Sequence, residues 1–221
     1  MMTQVFNWSV REFLDRAGAA SPTPGGGSVA ALSGALAIAM VQMVANLTLG
    51  RQKYREVEPV VRAILDESGG VRAELEALAA DDIAAFDQVM GAYSLPRNTA
   101  AENERRKQAI QAALRQATEV PLEVARTGMV TLRLTEQLTK AGNELVLSDA
   151  GVAGYLAQAS VKSALVNVEV NARLIQDRHY VDRVLREKQR LETQVTEMVN
   201  RIERTMGRRL GVSCEEGDGS R

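Results

Sequence analysis

Two adjacent carboxylates, Asp81 and Asp82, stand within a stretch of alanine and aliphatic residues that has helical spacing. Residues four apart share a helix face, so Asp82 lies with Leu78 and Phe86, whereas Asp81 is turned from that face by about 100°. Burial beside apolar side chains raises the pKa of a carboxyl group, which suits proton transfer near neutral pH. Asp82 is therefore the candidate acid–base residue, and the alternative is an ordinary surface carboxylate.

A proline-bounded run of glycines, Pro24-Gly25-Gly26-Gly27-Ser28, precedes a segment of helical character. Backbone N–H groups at a helix start, with the positive end of the helix dipole, can hold an anion. The run lacks the Lys-Ser or Lys-Thr of a P-loop, and no strand precedes it as a dinucleotide fingerprint requires. The glycine run is therefore either an anion-binding site or a flexible connector.

Polar amides and a second acid lie farther along the chain. Asn143 is followed by Ser148-Asp149, and Asn167 and Asn171 are four apart, so the last two share one helix face. Such groups form either a satisfied buried network or a hydrogen-bonding wall for a heterocycle. Ser148 and Asp149 are also good cap residues, and we expect a helix to start after them.

Basic residues cluster at 51–55 and at 105–107. Most such clusters are merely solvated, but Lys53 could bind a substrate that carries a carboxylate. With His179 the only histidine and Cys214 the only cysteine, no internal disulfide, histidine-based metal site or histidine triad can be assembled. We expect no bound metal, and this cysteine usage fits a reducing cytoplasm.

The composition indicates a globular chain whose net charge is too small to produce a strong electrostatic field. Its 221 residues are 45% hydrophobic, and 27 Lys and Arg face 28 Asp and Glu, for a net charge of -1. The chain can bury a substantial core, and it has no global attraction to nucleic acid or anionic membranes. The uncharged stretch 28–49 is long enough to cross a bilayer, but its small and polar residues favour a buried central helix. The charged first fifteen residues are unlike a secretory signal, and a cytoplasmic location is expected.

Apolar residues recur at spacings of three and four along most of the chain, which predicts an all-α protein. Capping boxes at Ser9 and Thr99 mark two helix starts, and Pro121 should kink or restart the second of these helices. The predicted helices cover about 10–18, 28–49, 54–69, 71–93, 99–117, 122–140, 150–177 and 181–206.

Long helices with short loops favour an up-and-down helical bundle, with one domain over 1–210 and a disordered tail at 211–221. The last helix carries a narrow apolar stripe among charged residues, from Val181 to Met206. Such a stripe is typical of packing against a partner helix. We therefore expect a homodimer in which a second subunit completes part of the core.

Several of these segments occur together, in the same order and spacing, in one enzyme family. They are Ser21-Pro-Thr-Pro-Gly-Gly-Gly-Ser-Val29, Asn46-Leu-Thr with Gly50 and Tyr54, Asp82 with Phe86, Leu95-Pro-Arg-Asn-Thr99, Val120-Pro-Leu122, Gly142-Asn143, Ser148-Asp149, and Asn167 with Asn171. From roughly Phe6 to Met206 the chain resembles the formiminotetrahydrofolate cyclodeaminase and methenyltetrahydrofolate cyclohydrolase family. The lysine that usually follows Leu-Pro is Arg97 here, which keeps the positive charge.

The resemblance implies an all-helical dimer that binds a tetrahydrofolate derivative in a cleft as its substrate, without a separate cofactor. The first expected activity is cyclodeamination, which closes 5-formiminotetrahydrofolate to 5,10-methenyltetrahydrofolate with loss of ammonia. The alternative is interconversion of the 5,10-methenyl and 10-formyl forms with water, and a non-catalytic folate-binding or helical interaction protein is a third possibility. Any formiminotransferase is expected on a separate chain.

On this basis the catalytic residues are predicted to be Asp82 and Asp149. Asp82 would transfer the proton, and Asp149 or Asn143 would hydrogen-bond the pterin or orient its reacting end. The predicted substrate-binding residues are Pro24, Gly25, Gly26, Gly27, Ser28, Asn46, Lys53, Tyr54, Asn143, Ser148 and Asn167. Two of these elements would bind anionic or carbonyl groups of the folate, including its glutamate. They are the helix start at Gly25–Ser28 and the side chain of Lys53.

Overall fold

The computed structural model describes residues 5–211, and over that range the chain consists of helices and their connections, with no strand. The helices are α1 (Val10–Ala17), α2 (Gly26–Asn46), α3 (Glu58–Tyr93), α4 (Ala100–Ala141), α5 (Leu147–Ala172) and α6 (Arg178–Leu210), with 3₁₀ turns at Val5–Asn7, Gln52–Val57 and Glu144–Val146. The prediction of an all-α bundle is confirmed. Cys214 and nearly all of the predicted tail lie outside the described residues.

Several helix ends follow the signals in the sequence. The Ser9 side chain accepts the Glu12 N–H at the start of α1. Thr99 and Glu102 form a complete capping box at the start of α4. Gly211 ends α6 in the left-handed conformation, with φ of 67°, which glycine adopts without a steric cost.

The predicted break at Gly69-Gly70 is wrong, because α3 continues through it, and of the kink or restart predicted at Pro121 the restart is wrong, because α4 continues through that residue. A glycine costs a helix about 1 kcal/mol and a proline about 3 kcal/mol. Both helices bury many apolar side chains on either side of these positions, including Leu75 and Leu122. That burial outweighs the local penalties, since each fully buried aliphatic side chain contributes roughly 1.5–3 kcal/mol.

The predicted ends of α2 and α5 also require correction. α2 begins at Gly26, two residues before the predicted start at Ser28. α5 begins at Leu147 with Val146 at its N-cap, so Ser148 and Asp149 lie inside the first turn and do not cap it. It ends at Ala172 instead of near Asp177, because Asp177 is the N-cap of α6 and accepts the Tyr180 N–H.

α4 lies at the centre of the bundle, where it packs against α2, α3, α5 and α6. α2 and α5 are antiparallel neighbours and approach closely. A Cβ atom on Gly34 of α2 would lie 2.8 Å from Ser160 Oγ of α5, and one on Gly128 of α4 would lie 2.7 Å from Val161 Cγ2. Small residues therefore let these three helices form one dense core.

The apolar stripe of α6 is covered within the same chain, contrary to the expectation that a second subunit covers it. Val184, Val195 and Ile202 are buried, and α6 packs on α4 and α5. Exposed apolar side chains occur on several helices, including α2 and α5. We define the α2–α5 face by Val29, Leu36, Leu47, Val152, Val166 and Val170, each of which is more than a third exposed.

α2 also meets the length and hydropathy conditions for a membrane span, with a mean hydropathy of 1.9 in its most apolar window. In this fold 56% of that window is buried by α3, α4 and α5. The apolar residues of α2 therefore lie mainly in the protein core, as expected for a central helix of a bundle.

Candidate functional site

Asp82 is half-buried in the contact between α3 and the first turn of α2. Its Oδ2 atom accepts the Ser28 backbone N–H at 2.8 Å and lies 3.0 Å from Ser28 Oγ. Burial raises the pKa of the Asp82 carboxyl, while the hydrogen bonds from Ser28 oppose part of that rise. The inward-facing orientation predicted for Asp82 is the one observed.

The other carboxylate oxygen, Oδ1, lies over Gly27. A Cβ atom built on Gly27 would be 2.0 Å from Asp82 Oδ1 and 2.5 Å from its Cγ, so only glycine leaves room for this carboxylate. Ser28 holds Oδ2, and within the described chain Oδ1 has no hydrogen-bond donor. One oxygen of Asp82 is thus anchored and the other is available to a ligand.

The Ser28 hydroxyl can serve Asp82 in both of its protonation states. It lies 3.0 Å from the Ala79 carbonyl oxygen as well as 3.0 Å from Asp82 Oδ2, and its one proton can be donated to only one of them. When Asp82 is ionised, the hydroxyl donates to the carboxylate. When Asp82 is protonated, the acid can donate to Ser28 Oγ while the hydroxyl turns to Ala79. This arrangement suits a carboxyl that alternates between base and acid.

The glycine run and Asn167 lie beside Asp82. Pro24 is buried behind a cis Thr23-Pro24 peptide bond, whereas Gly26 is exposed at the first turn of α2. A Cβ atom on Gly26 would lie 3.6 Å from the Asn167 amide nitrogen, which is in ordinary contact range. We call the group formed by Pro24–Ser28, Asp82 and Asn167 the Asp82 end of the molecule.

Asn143 is only 1% exposed and belongs to a hydrogen-bonded network at the opposite end of α2. Its side chain donates to the Leu47 carbonyl and accepts from Tyr54 O–H and from the Leu145 N–H. Its backbone N–H donates to Thr48 Oγ1. Asn143, predicted as an alternative to Asp149 for hydrogen-bonding the pterin or orienting its reacting end, thus uses its amide for hydrogen bonds within the protein, where it positions the connection between α4 and α5.

Lys53 is also engaged within the protein, through an ion pair of 2.6 Å with Glu144. Glu144 lies 3.4 Å from Arg209, whose guanidinium donates to the carbonyls of Thr139 and Gly142 at the C-terminal end of α4. Sequence reasoning missed Glu144 and Arg209. Helical periodicity carried no signal for the pairing, because the three charges come from distant parts of the chain.

Asn46, Ser148 and Asp149 complete this second group, and Asn46 and Ser148 are exposed. We call the group of Asn46, Lys53, Tyr54, Asn143, Ser148 and Asp149 the Asn143 end of the molecule. It is separated from the Asp82 end by the length of α2, which for a helix of 21 residues is about 30 Å. One chain therefore does not bring the two predicted catalytic residues, Asp82 and Asp149, together.

The surface of the described part of the chain has an open groove of about 680 Å³ between the end of α3 and α4. It is lined by Gln88, Gly91, Ala92, Leu95, Ala109, Ala112, Ala113 and Gln116, and Asp82 is not among these residues. Within residues 5–211 no three His, Cys, Asp or Glu side chains are grouped as metal ligands would be. The Asp82 carboxyl, with one oxygen anchored by Ser28 and the other without a donor, is suited to acid–base chemistry.

Comparison with known proteins identifies relatives along most of the chain. A sequence model of the formiminotransferase-cyclodeaminase family matches residues 9–190. A methenyltetrahydrofolate cyclohydrolase of Methylorubrum extorquens is 44% identical over 200 residues, which are 90% of this chain and 96% of that protein. A formimidoyltransferase-cyclodeaminase of Rattus norvegicus is 36% identical over 81% of this chain, which spans only 34% of the rat protein.

The fold is shared with a solved structure. The crystal structure of formiminotetrahydrofolate cyclodeaminase from Thermotoga maritima matches with a TM-score of 0.84 and 32% sequence identity. The match covers 93% of this chain and 99% of the other. Sequence and fold comparisons therefore agree on the same group of proteins.

Proposed function

Because the chain belongs to the formiminotransferase-cyclodeaminase family, as its motifs indicated, it is an enzyme of folate one-carbon metabolism, and we propose that it hydrolyses 5,10-methenyltetrahydrofolate to 10-formyltetrahydrofolate. The observation that carries the acid–base part of this proposal is the Asp82 carboxyl, which is anchored through Oδ2 and open at Oδ1. The same residue serves the second candidate reaction, cyclodeamination of 5-formiminotetrahydrofolate.

The order of the two reactions is the reverse of the order given from the sequence alone. The relative from Methylorubrum extorquens has almost the same length as this chain and the higher identity, and it is named a cyclohydrolase. Cyclodeamination stays the second candidate because the structural neighbour from Thermotoga maritima, at 32% identity, is named a cyclodeaminase. The third possibility, a protein without catalysis, is set aside with the family assignment.

In the proposed hydrolysis, Asp82 acts first as base and then as acid. Its ionised Oδ1 takes a proton from water as the water oxygen bonds to the cationic methenyl carbon, which becomes tetrahedral. Asp82 then gives that proton to N5 as the bond between N5 and the carbon breaks, and the hydroxyl proton leaves to solvent as the formyl group forms on N10. A carboxylate near the methenyl carbon also stabilises its positive charge.

Cyclodeamination requires the same two proton transfers. The formimino group reacts in its protonated form, so attack of N10 on its carbon leaves an –NH2 group on a tetrahedral carbon while N10 loses its proton to Asp82. The –NH2 nitrogen then receives that proton and leaves as ammonia, and the cationic methenyl group is formed. The Ser28 hydroxyl, which can face either Asp82 or Ala79, accommodates the change in protonation in both reactions. A single carboxyl therefore meets the acid–base needs of either candidate.

The first turn of α2 is proposed to hold polar atoms of the folate. The N–H groups of Gly26 and Gly27 are at the start of the helix, where the backbone has no partner in the preceding turn. Asn167 borders the same surface and is proposed to contact the pterin. We also propose a cytoplasmic enzyme, with any formiminotransferase on a separate chain.

The test is an assay of one preparation with both substrates, followed through the absorbance of the methenyl chromophore. Asp82→Asn should lower kcat by at least about 100-fold, the typical size of a general acid–base contribution. Asp81→Asn is the matched control, since Asp81 is the neighbouring carboxylate on a different side of the helix, and it should stay within about twofold. Activity of Asp82→Asn within tenfold of wild type would contradict the proposed role.

A further inference from the structure

The start of α2 is recessed between two neighbouring helices at the Asp82 end of the molecule. On one side, Asp82 of α3 accepts the Ser28 N–H, and α3 continues for about three further turns before it ends. On the other side, Gly26 lies beside Asn167 of α5, which continues for more than one further turn. Both neighbours of α2 therefore extend beyond its first residue.

A gap lies between α3 and α5 at the level where α2 has not yet begun. Each of these two helices packs against α2 and α4, but they hardly contact each other. The gap is therefore as wide as the missing helix, which is about 10 Å. α4 closes its back, where the Asn171 amide donates to the Ala117 carbonyl at 2.6 Å. We call this gap the α2 notch: its floor is the first turn of α2, its α3 side carries Asp82 and Phe86, and its α5 side carries Asn167 and Asn171.

Phe86 provides an aromatic side chain on the α3 side of the notch. It follows Asp82 by four residues, so the two side chains share one helix face, with their Cβ atoms about 6 Å apart. Phe86 is half-buried, and within the described chain it packs against none of the three apolar clusters. Phe13, in contrast, is buried in a cluster with Val5 and Ile83. Packing of the core therefore does not account for an aromatic side chain at position 86.

Asn167 offers a hydrogen-bonding group on the opposite side of the notch. Its Nδ2 donates to the Ser163 carbonyl at 3.0 Å within α5, and no donor in the described part of the chain reaches its Oδ1. A half-buried amide oxygen in this position can accept a hydrogen bond from a ligand. The notch thus combines an aromatic surface, an amide acceptor and the available Oδ1 of Asp82.

We propose that the α2 notch holds the pterin ring of the substrate and that Phe86 stacks on this ring, which sets the reacting carbon over Asp82 Oδ1. The identity of the ligand rests on the proposed function. In both candidate reactions the reacting carbon is bonded to N5, an atom of the pterin, so the ring must lie close to the carboxylate that serves this carbon. Phe86 is within that reach because it lies one helical turn from Asp82.

The chemistry of the notch favours the pterin over the p-aminobenzoyl ring, which is attached to the same carbon through N10. The pyrimidine half of a reduced pterin is planar, and its edge carries an amino group and a ring N–H that can donate to Asn167 Oδ1. The p-aminobenzoyl ring has no such row of donors along its edge. We therefore assign the pterin to the notch and the p-aminobenzoylglutamate to its open side.

Equilibrium binding of 5-formyltetrahydrofolate, a stable reduced folate, tests the stacking contact. Phe86→Ala should raise the Kd by at least about fivefold, which is the lower end of the contribution of one base stacked on an aromatic side chain. Phe86→Leu keeps an apolar side chain without a ring face and should raise the Kd by at least about twofold. Phe86→Tyr keeps the ring and should bind like the wild type. A Kd for Phe86→Ala within about twofold of wild type would overturn the proposal.

Tyr155→Ala is the control for the loss of an aromatic side chain. Tyr155 is 55% exposed on α5, and its hydroxyl donates to Glu203 of α6, away from the notch. Its replacement should leave both Kd and kcat close to the wild-type values. Thermal unfolding and circular dichroism of each variant report on folding. Because Phe86 lies outside the apolar clusters, Phe86→Ala should unfold close to the wild-type Tm, and Phe86→Leu takes its place if it does not fold.

Two fragments of the folate identify the ring that Phe86 contacts. 6-Methyltetrahydropterin at millimolar concentration should inhibit wild-type turnover competitively, and its Ki should rise in Phe86→Ala by the same factor as the Kd of 5-formyltetrahydrofolate. p-Aminobenzoylglutamate should inhibit the two proteins equally. Equal inhibition of both by the pterin, no inhibition of the wild type, or a rise in Ki for p-aminobenzoylglutamate alone would contradict the assignment of the pterin to the notch.

Failure of this proposal can be distinguished from failure of the proposed function. A wild-type protein that binds 5-formyltetrahydrofolate but turns over neither folate substrate refutes the proposed reaction, while the Kd values still test the contact with Phe86. An active wild-type protein whose affinity is unchanged by Phe86→Ala refutes only the role of Phe86. A wild-type protein that neither binds nor turns over a folate refutes both.

Discussion

Replacing Gly27 by alanine should move the Asp82 carboxylate while leaving most of the fold intact. The new methyl carbon would start 2.0 Å from Asp82 Oδ1 and 2.5 Å from Cγ, whereas ordinary contacts begin at 3.4 Å. The carboxyl must therefore shift by more than about 1 Å, and a misplacement of that size can lower a reaction rate by about 100-fold. We expect Gly27→Ala to reduce kcat/KM by about that factor.

The effect of Gly27→Ala on stability should be small by comparison. Asp82 would lose its hydrogen bonds to Ser28, each to a charged acceptor and worth about 1.5–3 kcal/mol, but the displaced carboxylate regains hydration. Alanine also favours the helix by up to about 1 kcal/mol over glycine. The free energy of unfolding should change by less than about 2 kcal/mol, which for a chain of this size shifts Tm by less than about 8 °C.

Gly26→Ala is the matched control for this prediction. Its methyl group would lie 3.6 Å from the Asn167 amide, an ordinary contact, and so activity should fall by less than about threefold. Steady-state kinetics with the methenyl substrate and thermal unfolding of the same preparations provide the two measurements. If Gly27→Ala and Gly26→Ala have equal activity, the position of Asp82 against Gly27 does not matter for catalysis.

Four further predictions concern titration and stability. Since burial raises the pKa of Asp82, the rising limb of kcat/KM against pH should lie above about pH 4, the ordinary value for aspartate, and Asp82→Asn should remove this limb. Because the pKa of Asp82 is higher in the folded state than in the unfolded state, its carboxyl stabilises the fold fully below the unfolded pKa. This stabilisation is lost as the pH rises through the folded pKa. The Tm of Asp82→Asn minus the Tm of wild type should therefore increase over that pH range. Ser160→Ala should raise the free energy of unfolding in urea by about 1 kcal/mol, because Ser160 Oγ is buried without a partner; a loss of stability would mean that the hydroxyl is satisfied. Thr99→Ala should lower the free energy of unfolding by about 1 kcal/mol through loss of the cap on α4, and Thr99→Ser should restore it.

The sequence predicts the helical class and several helix ends because both depend on local chemistry. Periodic apolar residues define the buried faces, and the Ser9 and Thr99 caps satisfy N–H groups within three residues. The continuity of α3 through Gly69-Gly70 and of α4 through Pro121 depends on burial by other helices. A local penalty of 1–3 kcal/mol marks a weak point, but it does not show whether tertiary packing overcomes it.

The same distinction applies to the site prediction, in which some surroundings of a residue depend on its own helix and others on contacts between distant elements. Asp82 could be found from the sequence, because its apolar neighbours at Leu78 and Phe86 are on its own helix. The partners of Asn143 and Lys53 within the chain could not be predicted, since Thr48, Tyr54 and Glu144 are brought to them by the connections that flank α2 and α5. A polar residue in a motif shows that a hydrogen bond is made there, but it does not show whether protein or ligand makes it.

Helix length supplies a constraint that the motifs alone do not. Ser28 and Asn46 flank one uninterrupted helix, and a rise of about 1.5 Å per residue keeps them nearly 30 Å apart in any fold that preserves α2.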